Sequence, residues 1–484
     1  MTDASDLKKR TIRAGVAKMC AQAANFLMRL GSTMVLARLL DPKDYGLIAM
    51  VTAVTGVLSL LRDFGLSSAS VQRATINREQ TSTLFWINLL LGGLLTIAVL
   101  SLGPALSAFY HEPRLVGITS VLAIGFLING AGAQHSALLQ RELRFASLAF
   151  IDLSSLLVSI ALAIGMAEAG YGYWALVVSS VSGPLISTLA LWLVTKWVPS
   201  LPRRGTGIWP MMRFGGTMTL NGLIWTVAIG FDKILLGRYW GPDALGIYYS
   251  ASQLIRIPID NLNSALGDVA FSALSRVQDE PERFKRYFLK GYTFIVALTL
   301  PITVVCAVFA DDIIAILLGP KWTGAADIFR ILSATILVFA ILNPLGWLLN
   351  ALGLVERGLK IAIVSAPLLI TGYIVGLPYG PKGVALAYST VMTLGLFPLV
   401  IWAVHGTMIG VGDIVQTFSR PLISSFVAAV FAFGISALYG ATSSALPRLI
   451  LELFAFGTTY VGVLLFVAGQ KSFYLDIFQG AKDG

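Results

Sequence analysis

Fourteen apolar runs, each about twenty residues long and separated by short charged segments, constrain this chain more than any other feature. A helix rising 1.5 Å per residue needs about 20 apolar residues to cross a hydrocarbon core of roughly 30 Å. The runs cover residues 15–37, 47–66, 83–103, 116–138, 147–168, 175–194, 214–236, 247–273, 291–310, 328–350, 360–379, 384–405, 420–440 and 447–469. Composition agrees with the lengths. Charged residues make up 12% of the 484 and apolar residues 56%, against roughly 25% charged in a soluble domain. So few charges cannot solvate a globule of this size, and lipid must be the outer solvent. The expected fold class is an all-α integral membrane protein of about 14 transmembrane helices. Internal prolines (Pro184, Pro301, Pro344, Pro367, Pro398) are read as kinks, which neighbouring membrane helices tolerate.

The formal net charge of +10 carries topology information rather than a nucleic-acid footprint, because the basic residues are dispersed between apolar runs. With the N-terminus inside, 23 of the 35 Lys and Arg fall on the cytoplasmic side, including Lys8, Lys9, Arg10, Arg203, Arg204 and Arg283. Eight fall outside, among them Arg38, Arg114, Arg238 and Arg448. This asymmetry predicts that both termini are cytoplasmic and that the helix count is even. Lys8 to Arg13 resemble the basic start of a signal peptide, but Lys18, Gln22, Asn25 and Arg29 interrupt the apolar stretch behind them, so a retained first helix is expected. The two cysteines, Cys20 and Cys306, both sit in apolar runs and form no metal-binding spacing.

The chain repeats itself. Residues 37–50 read ARLLDPKDYGLIAM and residues 237–250 read GRYWGPDALGIYYS, matching Arg38 with Arg238, Pro42 with Pro242 and Gly46 with Gly246. Arg13-x-Gly15 pairs with Arg213-x-Gly215 at the same offset, and Gly170, Ala175 and Leu176 echo Gly380, Ala385 and Leu386. The expected organisation is a six-helix bundle over 1–195, a cytoplasmic linker over 196–213, a second six-helix bundle over 214–405, and two extra C-terminal helices with a tail over 406–484. Six spans per unit make the repeat parallel, and substrate sites in such transporters lie between the halves.

Polar residues at membrane depth are functional candidates by default, since an unpartnered charge there costs several kcal/mol. Lys18, Gln22, Asn25, Arg29 and Ser32 form one stripe on the first span, with no acidic residue on that helix to neutralise Arg29. Thr217, Asn221, Trp225 and Asp232 share a face of the seventh span beside Lys233, where mutual pairing of Asp232 and Lys233 competes with a functional reading. Gln253, Arg256, Asp260 and Asn263 mark the eighth span, and Arg256 and Asp260 are spaced to neutralise each other. The candidate ligand-binding set is therefore Gln22, Asn25, Arg29, Asn221, Lys233, Gln253 and Arg256. Asp232 and Asp260 are candidate carriers of a coupling proton or sodium ion. A cavity richer in Arg and Lys than in Asp suits an anionic ligand, since guanidinium binds phosphate or carboxylate bidentately. Arg62, Asp63 and Asp152 are read as interface anchors and Asp311-Asp312 as a solvated loop. No metal or other cofactor is expected, and no G-x-x-x-x-G-K-[ST] motif is present.

The run LARLLDPKDYGLIAMVTAVTGVLSLLRDFGLSSASVQR, residues 36–73, resembles the signature region of Wzx-type oligosaccharide flippases. ALLQRELRF (137–145) and LLNALGLVERGLK (348–360) are similar to that family's loops after spans four and ten. The family belongs to the polysaccharide-transport branch of the multidrug/oligosaccharidyl-lipid/polysaccharide exporter superfamily, and the colanic-acid and teichuronic-acid exporter subgroup is nearest. The resemblance implies alternating access and a lumen handling an undecaprenyl-pyrophosphate-linked sugar unit in a bacterial cytoplasmic membrane. Its implied partners are that lipid-linked oligosaccharide, membrane lipids and polysaccharide polymerase machinery, with no nucleic acid. A drug-extruding relative is expected to prefer an acidic lumen, whereas a lipid II flippase also needs cationic residues and stays open as a reading. A membrane polysaccharide polymerase or ligase, an enzyme, would need a large outer loop, and no outer loop here exceeds about twenty residues.

Overall fold

The computed structural model describes residues 4–60, 77–142, 144–202, 209–275, 277, 280–439 and 445–471. Arg62 and Asp63 lie outside the described residues, as do the side chains of Lys18, Thr217 and Asn221. All the described regular structure is helical. It comprises α1 (Ala4–Leu39), α2 (Pro42–Ser59), α3 (Arg78–Tyr110), α4 (Arg114–Arg141), α5 (Phe145–Glu168), α6 (Tyr173–Thr195) and α7 (Trp209–Ser275). These are followed by α8 (Pro281–Val308), α9 (Ala310–Leu317), α10 (Thr323–Ala351), α11 (Val355–Gly376), α12 (Gly380–Val404), α13 (Val411–Tyr439) and α14 (Ala445–Gly462). Wherever the expected spans are described they fall on these helices. Among the described residues, nine stretches are long and apolar enough to cross a membrane on length and composition alone. Large apolar side chains such as Phe150, Leu193, Phe426 and Phe454 are exposed over this surface, which water would not tolerate on such a scale and lipid does.

Local chemistry sets the helix boundaries. Pro42, which has no N–H to leave unsatisfied, opens α2, and the Asp41 N–H donates to Asp44 Oδ2 at 3.1 Å. Asn77 and Gln80 satisfy each other's backbone N–H groups at the start of α3, at 2.7 and 3.1 Å. Gly241, at φ +79, breaks α7 into two arms, a conformation that glycine adopts without a Cβ penalty.

Contacts divide the chain into two compact units, Met1–Gly246 and Ile247–Gly484. In the first, α3 lies along α4, α4 along α6, and α5 packs on both α6 and α1, while α2 touches α3, α4 and α6. The boundary falls inside α7 because the start of its second arm packs on α2. A Cβ on Gly46 would collide with the Pro242 carbonyl, and a Cβ on Gly246 with the Pro42 carbonyl. The two copies of the repeated Pro-x-x-x-Gly segment thus cross each other reciprocally, backbone on backbone, as small residues allow membrane helices to do. The weaker echo also has a structural counterpart: Gly170 and Gly380 both adopt positive φ, and Ala175 and Ala385 are both fully buried.

In the second unit, α10 packs between α8 and α12, α11 lies on α12, and α13 lies on α8 and α14. Phe284, Phe288, Tyr292, Val296 and Leu300, four residues apart along α8, form one stripe packed with Ile341, Leu345 and Leu348 of α10. The last two helices dock on the same α8 through its other flank. Ala428 and Ala432 of α13 and Phe456 and Tyr460 of α14 cluster with Ala297, whose carbonyl accepts the Tyr460 hydroxyl. The starts of α8 and α13 are tied by Lys285 to Asp413 at 2.7 Å. Arg357 caps the C-terminus of α12, donating to the carbonyls of Ala403 at 3.1 Å and His405 at 2.6 Å.

The structure corrects the expectation of a solvated loop at Asp311-Asp312. Both residues sit in the first turn of α9. Asp311 accepts from Arg330, and Asp312 is 7% exposed and held by two bonds from Arg448, one of them Nε to Oδ2 at 2.8 Å. This pair clips α14 to the rest of the unit. Arg448→Ala leaves a buried carboxylate without its cation, and a charge-assisted bond contributes about 1.5–3 kcal/mol. The expected result is a lower melting temperature in detergent and earlier proteolysis within α14; unchanged melting would remove the clip from the account.

Candidate functional site

The stripe predicted on the first span is present on α1. Asn25 and Arg29 are brought together: the Arg29 Nε donates to Asn25 Oδ1 at 2.7 Å, while the Arg29 carbonyl accepts from Thr33 one turn on. That bond fixes the plane of the guanidinium and does not use its two terminal amino groups, the pair that a phosphate takes side by side. Arg29 itself is exposed, as is Gln22 two stripe positions back, and Ser32 is half-buried. No acid lies on α1 within the span, as the sequence implies, but the adjacent α5 supplies one. Asp152 lies within electrostatic reach of Arg29. The interface-anchor reading did not include this proximity to Arg29. The signal was thin: a lone Asp five residues into an apolar run, with nothing local to name its partner.

Asp232 and Lys233, on the first arm of α7, are paired with each other. The Lys233 Nζ lies 3.1 Å from Asp232 Oδ1, and the Lys233 backbone N–H donates to the same oxygen at 2.6 Å. Asp232 is 3% exposed, so this is a desolvated pair in which either partner alone would be costly. On the second arm, Arg256 and Asp260 form the expected neighbouring pair, at 3.7 Å and with more than half of each side chain exposed. Gln253 and Asn263 are exposed on the same arm. The structure thus joins Arg29 with Asn25, and Asp232 with Lys233, in the first unit, and Arg256 with Asp260 in the second. These groupings offer oriented cations, amides and carboxylates, the groups that bind and release an ionic ligand.

Several solved structures of similar fold are membrane transporters. A lipid II flippase in an inward closed conformation aligns with a TM-score of 0.73 and 16% identity, covering 96% of this chain and 100% of its own. An inward-facing multidrug transporter of the multidrug/oligosaccharidyl-lipid/polysaccharide superfamily aligns with a TM-score of 0.64 and 15% identity, covering 80% of this chain and 97% of its own. The chain belongs to the family described as "Polysaccharide biosynthesis protein", whose sequence pattern it matches over residues 35–327. It is similar to the lipopolysaccharide biosynthesis protein WzxC of Escherichia coli (strain K12), 25% identical over 397 residues, or 80% of each chain. It is also similar to the teichuronic acid biosynthesis protein TuaB of Bacillus subtilis (strain 168), 30% identical over 299 residues, or 61% of each chain. The family resemblance read from residues 36–73 is thereby borne out.

Proposed function

We propose that this protein is the flippase of a surface-polysaccharide pathway, moving a polyprenyl-pyrophosphate-linked oligosaccharide across the bacterial cytoplasmic membrane by alternating access. The observation that carries this reading is the family match over residues 35–327, which spans α2 through the start of α10. The side chains of α1 support it independently. A guanidinium oriented by an amide, inside a membrane span, is the side chain that recognises pyrophosphate. Asp152, within electrostatic reach of that guanidinium, competes with an arriving headgroup for its charge. The lipid II reading shares the headgroup chemistry and differs in the glycan; the relatives named for lipopolysaccharide and teichuronic acid favour a polysaccharide unit. Deleting the gene is expected to stop surface polysaccharide and to accumulate lipid-linked saccharide on the cytoplasmic leaflet. Arrested cell-wall synthesis with intact polysaccharide would assign the protein to lipid II instead.

A further inference from the structure

The Arg29 site accounts for an anionic headgroup and leaves the sugar unaddressed. The first unit contains a second polar site, a groove of about 280 Å³ between α4 and α6. This volume is at the lower edge of the range of small-molecule sites, roughly 300–1,000 Å³. Asn129, Ser136 and Gln140 line it from α4, and Ser187 and Thr188 line it from α6.

At about 100° per residue, Asn129, Ala133, Ser136 and Gln140 fall within about 60° of arc on α4. The exposed apolar residues of that helix, Val116, Ile124 and Leu127, lie roughly opposite. On α6 the same division holds: Pro184, Ser187, Thr188 and Leu191 face the groove, while the exposed Leu185, Leu189 and Leu193 lie about 150° away. Each helix thus presents one side to lipid and its other, polar side to the groove. Amides and hydroxyls line the groove beside Gly130, Gly132, Ala133, Pro184 and Leu191, a mixture that suits a sugar ring, with its polar edge and apolar face, better than an acyl chain.

The lining carries no formal charge, so it offers nothing to a phosphate that α1 does not offer better. Its amides are half-committed. Asn129 Nδ2 donates to the Gly125 carbonyl at 2.6 Å, and Gln140 Nε2 to Ser136 Oγ at 3.3 Å, leaving Asn129 Oδ1 and Gln140 Oε1 as acceptors. Mixed amide and hydroxyl groups, both donor and acceptor, match the hydroxyl-bearing edge of a pyranose. We propose that the α4–α6 groove is a saccharide subsite, holding the glycan of a lipid-linked oligosaccharide through Asn129, Ser136, Gln140 and Thr188. The proposal rests on the flippase reading above and adds where the sugar is held.

The test replaces Asn129 and Gln140 by leucine, alone and together. Leucine suits a membrane helix and removes only the polar atoms, so insertion and melting in detergent should match wild type, and both are measured. Binding is compared for two probes: the polyprenyl pyrophosphate carrier without sugar, and the lipid-linked oligosaccharide extracted from a strain lacking the protein. Each substitution is expected to weaken the glycan-bearing ligand about tenfold and to leave the bare carrier unchanged. Equal loss for both probes, or no loss for either, overturns the subsite. Wild-type protein that binds neither probe overturns the flippase reading itself, a result distinct from the other two. As a second measurement, Ser136→Cys and Ser187→Cys in a background with Cys20 and Cys306 replaced should react with a hydrophilic maleimide and be protected by the glycan-bearing ligand. Failure of either position to label places lipid in the groove and overturns the subsite.

Discussion

Arg29→Ala is expected to abolish polysaccharide export while leaving the protein at normal levels in the membrane, and Arg29→Lys is expected to retain only part of it. The reason is geometric. A lysine restores the charge but not the planar pair of donors that grips a phosphate from two sides, nor the Nε bond to Asn25 that orients it. A charge-assisted pair contributes on the order of 1.5–3 kcal/mol, which corresponds to a loss of affinity of roughly ten- to a hundredfold. Asp152 introduces a competing account, in which Arg29 merely neutralises a carboxylate on the neighbouring helix. A double substitution separates the two. If Arg29 served only Asp152, Asp152→Asn in the Arg29→Ala background would restore export by removing the orphaned charge. If Arg29 holds the headgroup, the double variant stays inactive. Surface polysaccharide and membrane levels of the three variants decide it; normal export from Arg29→Ala would remove the residue from the mechanism.

The second large effect falls at the crossing of the two Pro-x-x-x-Gly segments. Leucine at Gly46 or Gly246 is expected to prevent accumulation of folded protein, because the added carbon meets a backbone carbonyl rather than a side chain that could rotate away. Overpacking elsewhere costs about 1–3 kcal/mol, and a clash with backbone belongs at or above the top of that range. Alanine at either position is the gentler form and should lower the melting temperature in detergent. Since both glycines serve one contact, Gly46→Ala and Gly246→Ala together should cost less than the sum of the two alone. Additive losses, or an alanine variant as stable as wild type, would show that the segments do not press on each other.

Much of this architecture is local and therefore legible. The spans follow from runs of about twenty apolar residues, because crossing hydrocarbon with every backbone group satisfied leaves a single chain of this kind only helix. The Asn25–Arg29 contact follows from a spacing of four on one helix, and Arg256–Asp260 likewise. The α4 stripe of Asn129, Ser136 and Gln140 has the same periodicity as the α1 stripe and could have been found by the same reading; it carried no charge to draw attention. The pairing of Asp232 with Lys233 was already one of the two readings that adjacency allows.

What no local pattern encodes is which distant segments meet. Asp312 and Arg448 are separated by 136 positions, and nothing in either neighbourhood names the other, so a buried clip looked like a solvated loop. The proximity of Asp152 to Arg29 appeared only when α5 was laid against α1. The repeat announced itself as Pro42–Gly46 and Pro242–Gly246, yet its two copies could have sat apart; their reciprocal contact depends on the turn at Gly241 and the close crossing that follows. The sequence by itself determined the solvent, the helices and the family, because hydropathy, periodicity and motif are properties of a few consecutive residues. Only the tertiary structure decided the partner of Asp312 and the groove between α4 and α6, because such contacts depend on the crossing angle and rotation of helices that hydrophobic periodicity leaves free.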